Sequence, residues 1–295
     1  MERRQTETVS APPVSCATLD FGKMSKAKKV IDEARAESNP ELDLSDKGIA
    51  TFEEMPGLMT MHYVTRLTLS HNRLSIVPPG LANLLNLEIL NLFNNQIEDL
   101  PTSLSSMPKL KILNLGMNRL GSLPRGFGAF PVLEVLDLTY NNLSETSLPG
   151  NFFMMETLRA LYLCDNDFEV LPPEIGTLKN LQILALRDND LVALPKEVGD
   201  LARLRELHIQ GNRLTVLPPE IGNLDLIGQK QVLKMENNPW VPPIADQLMV
   251  GQSHVIDYIR SETYKYLYGR HMAAGAPPPP KTNDKSKKMS RRRDN

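Results

Sequence analysis

From residue 64 onward, aliphatic residues recur in a fixed frame around an asparagine: eight, five and three positions before it, and two positions after it. The asparagines are Asn72, Asn95, Asn118, Asn141, Asn166, Asn189, Asn212 and Asn238, at spacings of 23, 23, 23, 25, 23, 23 and 26 residues. Seven well-formed units span 64–224, and a degenerate one begins near Leu42 with Lys47 in the asparagine place. Within each unit the leucine-x-leucine core alternates with period two, so its leucines point one way and the residues between them the other. A single such strand cannot bury its apolar face. Stacking successive units gives a continuous core and a parallel sheet. The asparagine falls where the chain leaves the strand, and its amide can bond backbone groups of its own bend and of the neighbouring unit, which predicts a buried ladder. The following Leu-Pro step fixes an extended path and disfavours a regular helix, so the outer face is expected to hold short helical turns and loops.

Two intervals break the rhythm. The stretch LSETSLPGNFFMMET carries two extra residues and should bulge on the outer face; between Asn212 and Asn238 there are three extra, and Lys230 takes a leucine place, marking the end of the stack. Terminal units need covers. Residues 25–38, rich in helix formers, predict an N-terminal cap helix. At the other end the spacing of Val255, Ile256, Ile259, Tyr266 and Leu267 predicts one helix over about 253–268, with Ser253 as N-cap, Gly269 as stop and Trp240 as a plug. Tyr258, Tyr264, Tyr266 and Tyr268 on that segment could alternatively offer a second contact surface. The expected division is a disordered extension at 1–23, a cap with the degenerate unit at 24–63, repeats at 64–238, a C-terminal cap helix at 239–272, and a Pro-rich, then basic, disordered tail at 273–295.

Outward strand positions of successive units line up into columns. The residue between the two core leucines gives Thr68, Asn91, Asn114, Asp137, Tyr162, Ala185 and His208. Two residues on lie Ser70, Phe93, Gly116, Thr139, Cys164, Arg187 and Gln210, and just before the asparagine lie His71, Asn94, Met117, Tyr140, Asp165, Asp188 and Gly211. Aromatic, Met and Arg anchors among orienting polar groups are the composition of a protein interface. Asn91, Phe93, Asn114, Met117, Asp137, Tyr140, Tyr162, Asp165, Arg187 and His208 are therefore the candidate binding residues, with Tyr162 as anchor and Asp137 and Arg187 setting charge register.

Composition narrows the remaining classes. Aromatics make up 5%, so the core is mostly aliphatic, and a net charge of −2 supplies no basic excess for nucleic acid. The two cysteines, Cys16 and Cys164, have no metal or redox spacing, which points to a reducing, cytosol-like compartment. No apolar run predicts a signal peptide or a membrane span. Phosphate-loop and zinc-hydrolase motifs are absent, and a Cys164–His208 nucleophile pair would be separated by two units at about 4.8 Å each. The expectation is a protein without enzyme activity, cofactor or metal, monomeric within a hetero-complex.

The frame L-x-x-L-x-L-x-x-N-x-L-x-x-L-P, with the stretches VTRLTLSHNRL, LNLGMNRLGSLPRGFG, LRALYLCDNDFEVLPPEIG, ENNPWVPPIADQ and YIRSETYKYLYGRHM and the tail NDKSKKMSRR, resembles the Ras suppressor family of intracellular leucine-rich-repeat adaptors. The likeness runs from about Met24 into the basic tail and includes cap segments that the repeat does not dictate. It implies an α/β solenoid: a leucine-rich-repeat horseshoe with a parallel concave sheet, a loop and short-helix convex face, and helical caps. It further implies an adaptor that binds a LIM domain of PINCH, joining the integrin-linked kinase–PINCH–parvin complex at cell–matrix adhesions and modulating Ras signalling, adhesion and spreading. The alternative is a Ras-pathway scaffold that engages a small GTPase or phosphatase directly.

Overall fold

The computed structural model describes residues 26–281. The expected extension at 1–23, Cys16 and the basic residues 282–295 lie outside the described residues. Lys26–Glu37 forms helix α1, which buries Ala27, Ile31 and Ala34, a stripe at helical spacing, against the first strand. Ser38 then adopts φ 53°, and the Asn39 N–H closes on the Ala34 carbonyl at 2.9 Å.

Nine strands follow among the described residues: β1 (Glu41–Asp43), β2 (Arg66–Thr68), β3 (Ile89–Asn91), β4 (Ile112–Asn114), β5 (Val135–Asp137), β6 (Ala160–Tyr162), β7 (Ile183–Ala185), β8 (Glu206–His208) and β9 (Val232–Lys234). They pair in parallel, in chain order, as one sheet. The middle residue of each is a leucine, from Leu42 through Leu136 to Leu233, buried and in register with its neighbours. Each strand alone buries only its central leucine, with Ala160 in β6 and Ala185 in β7 beside it, so stability comes from stacking along the chain.

The asparagine ladder is as the repeat predicts. In Asn141 the side-chain NH2 donates to Leu115 O and Leu138 O, both at 3.0 Å, while Oδ1 accepts from the Leu120 N–H at 3.0 Å. Asn72, Asn95, Asn118, Asn166, Asn189 and Asn212 repeat the arrangement across each unit boundary. The convex face carries short 3-10 turns placed directly after proline, such as Thr102–Ser106 after Pro101 and Lys196–Asp200 after Pro195. The lengthened interval folds as two 3-10 turns, Glu145–Ser147 and Phe152–Met154, as the first interval does with Phe52–Glu54 and Leu58–Thr60, where the others have one. Phe127 and Phe152 stack beneath it with centroids 6.3 Å apart. Gly128 meets this insertion so closely that a Cβ there would sit 1.8 Å from Asn151 O.

The C-terminal cap differs from the single helix expected over 253–268. It consists of α2 (Pro242–Val250), α3 (Gln252–Arg260) and α4 (Glu262–Ala274). Gly251 separates the first two, so Ser253 lies inside α3 and is not its N-cap. Ser261 ends α3 and caps α4, its Oγ accepting from the Tyr264 N–H at 3.2 Å. That break resets the helical phase: Val255, Ile256 and Ile259 are buried as expected, but Tyr266 and Leu267 are exposed and Tyr264 is buried in their place. Gly269 sits within α4, which continues to Ala274 and ends at Gly275 in the left-handed conformation. Trp240 is partly buried against the core, and its indole N–H donates to Met235 O at 2.9 Å. The expected disorder of the whole of 273–295 also fails at its start. Residues 273 and 274 finish α4, and Pro279 O accepts from Arg213 Nε at 2.6 Å.

Candidate protein-binding face

Parallel register places the first outward column as expected: Thr68, Asn91, Asn114, Asp137, Tyr162, Ala185 and His208 are successive partners across β2 to β8. The polar members also have a local task. Asn91 Oδ1 accepts from the Phe93 N–H at 3.0 Å, Asn114 Oδ1 from Gly116 at 2.9 Å and Asp137 Oδ1 from Thr139 at 2.9 Å. These Asx turns hold the bend after each strand, while the side chains stay half-buried and reachable from the concave side. Tyr162 follows Asp137 in this column. Partial burial, with Glu206 and Asp137 nearby, raises its phenol pKa above the usual value and keeps the hydroxyl protonated as a donor.

The second column mixes open and closed positions. Phe93 packs edge-on against His71 with centroids 5.5 Å apart, above Gly116, where a Cβ would come within 3.1 Å of the Phe93 ring. Cys164 is buried, and burial pushes its thiol up to about 11, far from a thiolate at neutral pH. Arg187 is exposed but fixed: Nη2 lies 2.8 Å from Asp165 Oδ2 and Nε 3.1 Å from Asp188 Oδ2. Burial, followed by repulsion from Asp165, raises the Asp188 carboxyl above the ordinary range in spite of Arg187. His208 lies 3.5 Å from Glu206 at the far end of the face.

The third column was expected as strand positions, and there the structure differs. His71, Asn94, Met117, Tyr140, Asp165 and Asp188 all have φ between 52° and 59°. These residues turn the chain from the strand into the asparagine bend, although backbone pairing persists up to them, as in Asn94 N–H to Gly116 O at 2.9 Å. Met117, Tyr140 and Asp165 therefore form the rim of the face and not its floor.

A fourth row on this side was not among the expected columns. Ile89, Ile112, Val135 and Ile183 share the concave side with Asn91, Asn114, Asp137 and Ala185, and are half-buried, with Ala160 between them. Period-two alternation from the buried leucines was the signal that could have found them. The result is an aliphatic strip bordered by a polar and aromatic column, then by the Arg187–Asp165–Asp188 cluster. Among the described residues no group of three or more His, Cys, Asp or Glu is arranged to hold a metal ion, and no helix is long and apolar enough to cross a membrane.

Comparison with known proteins agrees with this architecture. A family described as leucine-rich repeat region matches residues 122–241, and a leucine rich repeat family matches 62–120 and 86–143. Ras suppressor protein 1 of Homo sapiens is 70% identical over 270 residues, covering 91% of this chain and 98% of that protein. The Bos taurus and Mus musculus proteins of the same name are 72% and 68% identical over the same coverage. Among solved structures, a leucine-rich-repeat protein of Leptospira interrogans has a TM-score of 0.62 at 30% identity, covering 70% of this chain and 57% of that one. The leucine-rich-repeat ectodomain of a membrane receptor kinase from Arabidopsis thaliana has a TM-score of 0.53 at 32% identity, covering 68% of this chain and 24% of that one.

Proposed function

This chain belongs to the Ras suppressor protein family of leucine-rich-repeat proteins, and from that premise we propose that it is an adaptor whose concave face holds a LIM domain of PINCH. Through that contact it joins the integrin-linked kinase–PINCH–parvin assembly at cell–matrix adhesions on the cytoplasmic side and influences Ras signalling and spreading. The observation that carries this reading is the in-register run Asn114–Asp137–Tyr162, lying beside an Arg187 already immobilised by two carboxylates. A fixed guanidinium and a protonated phenol present oriented donors with little conformational freedom left to lose, as an interface anchor requires. The aliphatic strip supplies the apolar centre, and two carboxylates around the single Arg187 guanidinium leave a net negative corner that favours a partner with a positive edge. Asn91, Phe93, Met117, Tyr140, Asp165 and His208 complete the border. No arrangement on this face suggests a reacting centre, and the role is one of protein binding.

Calorimetric titration of the full chain with the LIM domains of PINCH tests the reading. Tyr162→Ala should weaken binding by about 2 kcal/mol or more, roughly thirtyfold. Asp137→Asn is the sharper probe of charge, because it retains the Oδ1 acceptor of the Asx turn and matches the residue at Asn91 and Asn114. It should weaken binding while leaving the melting temperature unchanged. Binding that both variants preserve would remove the concave site, and wild type that fails to bind would favour a scaffold engaging a GTPase or phosphatase directly.

A further inference from the structure

Arg213 directly follows the ladder residue Asn212, as Arg73 follows Asn72 and Arg119 follows Asn118. Arg73 is exposed and Arg119 half-buried, yet Arg213 is only 7% exposed. Against its guanidinium lies the Pro-rich segment that follows α4. Nε donates to Pro279 O at 2.6 Å and Nη2 donates to the same oxygen. Nη1 is 3.7 Å from Glu169 Oε2, and the other Glu169 oxygen pairs with Lys281. His271 Nε2 lies 3.1 Å from Thr215 Oγ1, so the end of α4 is tied to the same unit.

The chemistry of the two sides matches. Prolines have no N–H, so a run of them offers carbonyl acceptors and apolar rings in a stiff extended form. A guanidinium has five donors and no acceptor. Buried without an acceptor it would be unfavourable, so Arg213 fits the description of a receptor group better than that of a surface cation. Glu169, two units away, reads a positive charge two residues beyond the held carbonyl.

We propose that Arg213 and Glu169 form a binding site for a proline-rich, lysine-bearing peptide strand, occupied here by the chain's own residues 277–281, and that a basic proline-rich peptide of a partner can take the strap's place. The prolines of the strap donate no backbone hydrogen bonds to the sheet, so exchange disturbs the Arg213, Glu169 and His271 contacts and leaves the repeats intact. As an intramolecular occupant the strap acts at an effective concentration of order mM, which excludes weak competitors. This site lies off the concave face and stands or falls independently of the adaptor reading.

The test uses a fluorescent peptide of sequence GAPPPPKT, residues 275–282, and the full-length chain, read by anisotropy. Weakening the strap in place with Pro279→Gly and Lys281→Ala should raise the affinity for the peptide at least tenfold over wild type. Adding Arg213→Gln should abolish that gain. Because a buried arginine change could perturb folding, Glu169→Lys provides a second arm. In the strap-weakened chain it should lose the peptide and regain binding to a peptide whose lysine is replaced by glutamate. Equal affinity for wild type and strap-weakened chains, absence of binding to both, or indifference to Glu169→Lys would overturn the proposal.

Discussion

Asn141 has no exposed surface and connects two units through one side chain: its amide donates to a carbonyl of each, and its oxygen accepts the Leu120 N–H. Asn141→Ala removes every one of these bonds and leaves buried backbone groups without partners. Each such group costs about 1–3 kcal/mol, so the substitution should lower the unfolding free energy by about 3 kcal/mol or more in denaturant titration. Asn91→Ala, on the half-buried face, removes a single Asx bond and should cost about 1 kcal/mol. Comparable losses at the two positions would contradict the ladder as the source of the constraint. The residue in front of each ladder asparagine shows where residue-level legibility ends. These positions hold His, Asn, Met, Tyr and Asp, with glycine only at Gly211, yet all share positive φ. The turn imposes that conformation through its ladder bonds. Side chains such as Met117 and Tyr140 give no hint of it, because αL is costly for them and is held by the surroundings.

Among the elements, the repeats were legible and the cap only in part. Leucine frame, strand order and the proline-initiated outer turns follow from a pattern repeated often enough to average out local exceptions. The cap occurs once, and a helical stripe read through Ser261 runs out of phase with the two helices on either side of it. Val255, Ile256 and Ile259 precede that break and were placed correctly, while Tyr266 and Leu267 follow it and face solvent. The burden passes to Tyr264, whose hydroxyl donates to Leu217 O at 2.6 Å and accepts from the Leu217 N–H at 3.0 Å. A phenol satisfying both backbone groups of one residue ties α4 to the last full repeat, and burial raises its pKa well above that of free tyrosine. Tyr264→Phe keeps the ring contacts with Tyr258 and Tyr268 but orphans Leu217. It should destabilise the chain by about 2 kcal/mol and abolish slow hydrogen exchange at the Leu217 amide. Tyr266→Phe, on an exposed ring, serves as the control and should change neither. Unaltered protection at Leu217 in Tyr264→Phe would mean that the cap is held by apolar contact alone.

For the whole molecule, the arrangement of contacts is linear: each strand pairs only with the next, and the core leucines continue without interruption from Leu42 to Leu233. In such a stack, stability is a sum of unit and nearest-neighbour contributions, so position along the chain decides what a core substitution does. Leu136 lies between Leu113 and Leu161, and Leu136→Ala removes buried volume shared by two unit boundaries. With a cost of about 3–4 kcal/mol, it should lower the midpoint of a single unfolding transition, because neither side of the stack can unfold there without exposing the other. Leu42 has a repeat on one side only and α1 on the other. Leu42→Ala carries a similar local cost but should release α1 and β1 as a separate unit, with fast exchange there and unchanged protection across β4 to β8. Hydrogen exchange followed by mass spectrometry distinguishes the two responses. A central substitution that splits the transition would mean that the lengthened unit around Phe127 and Phe152 divides the stack into two folding units. The same linear logic bears on binding: Asn114, Asp137, Tyr162 and Arg187 come from four successive units, so their relative positions are only as rigid as the three boundaries between them. Leu136→Ala should therefore weaken partner binding even where the protein remains folded, whereas Leu42→Ala should leave it intact.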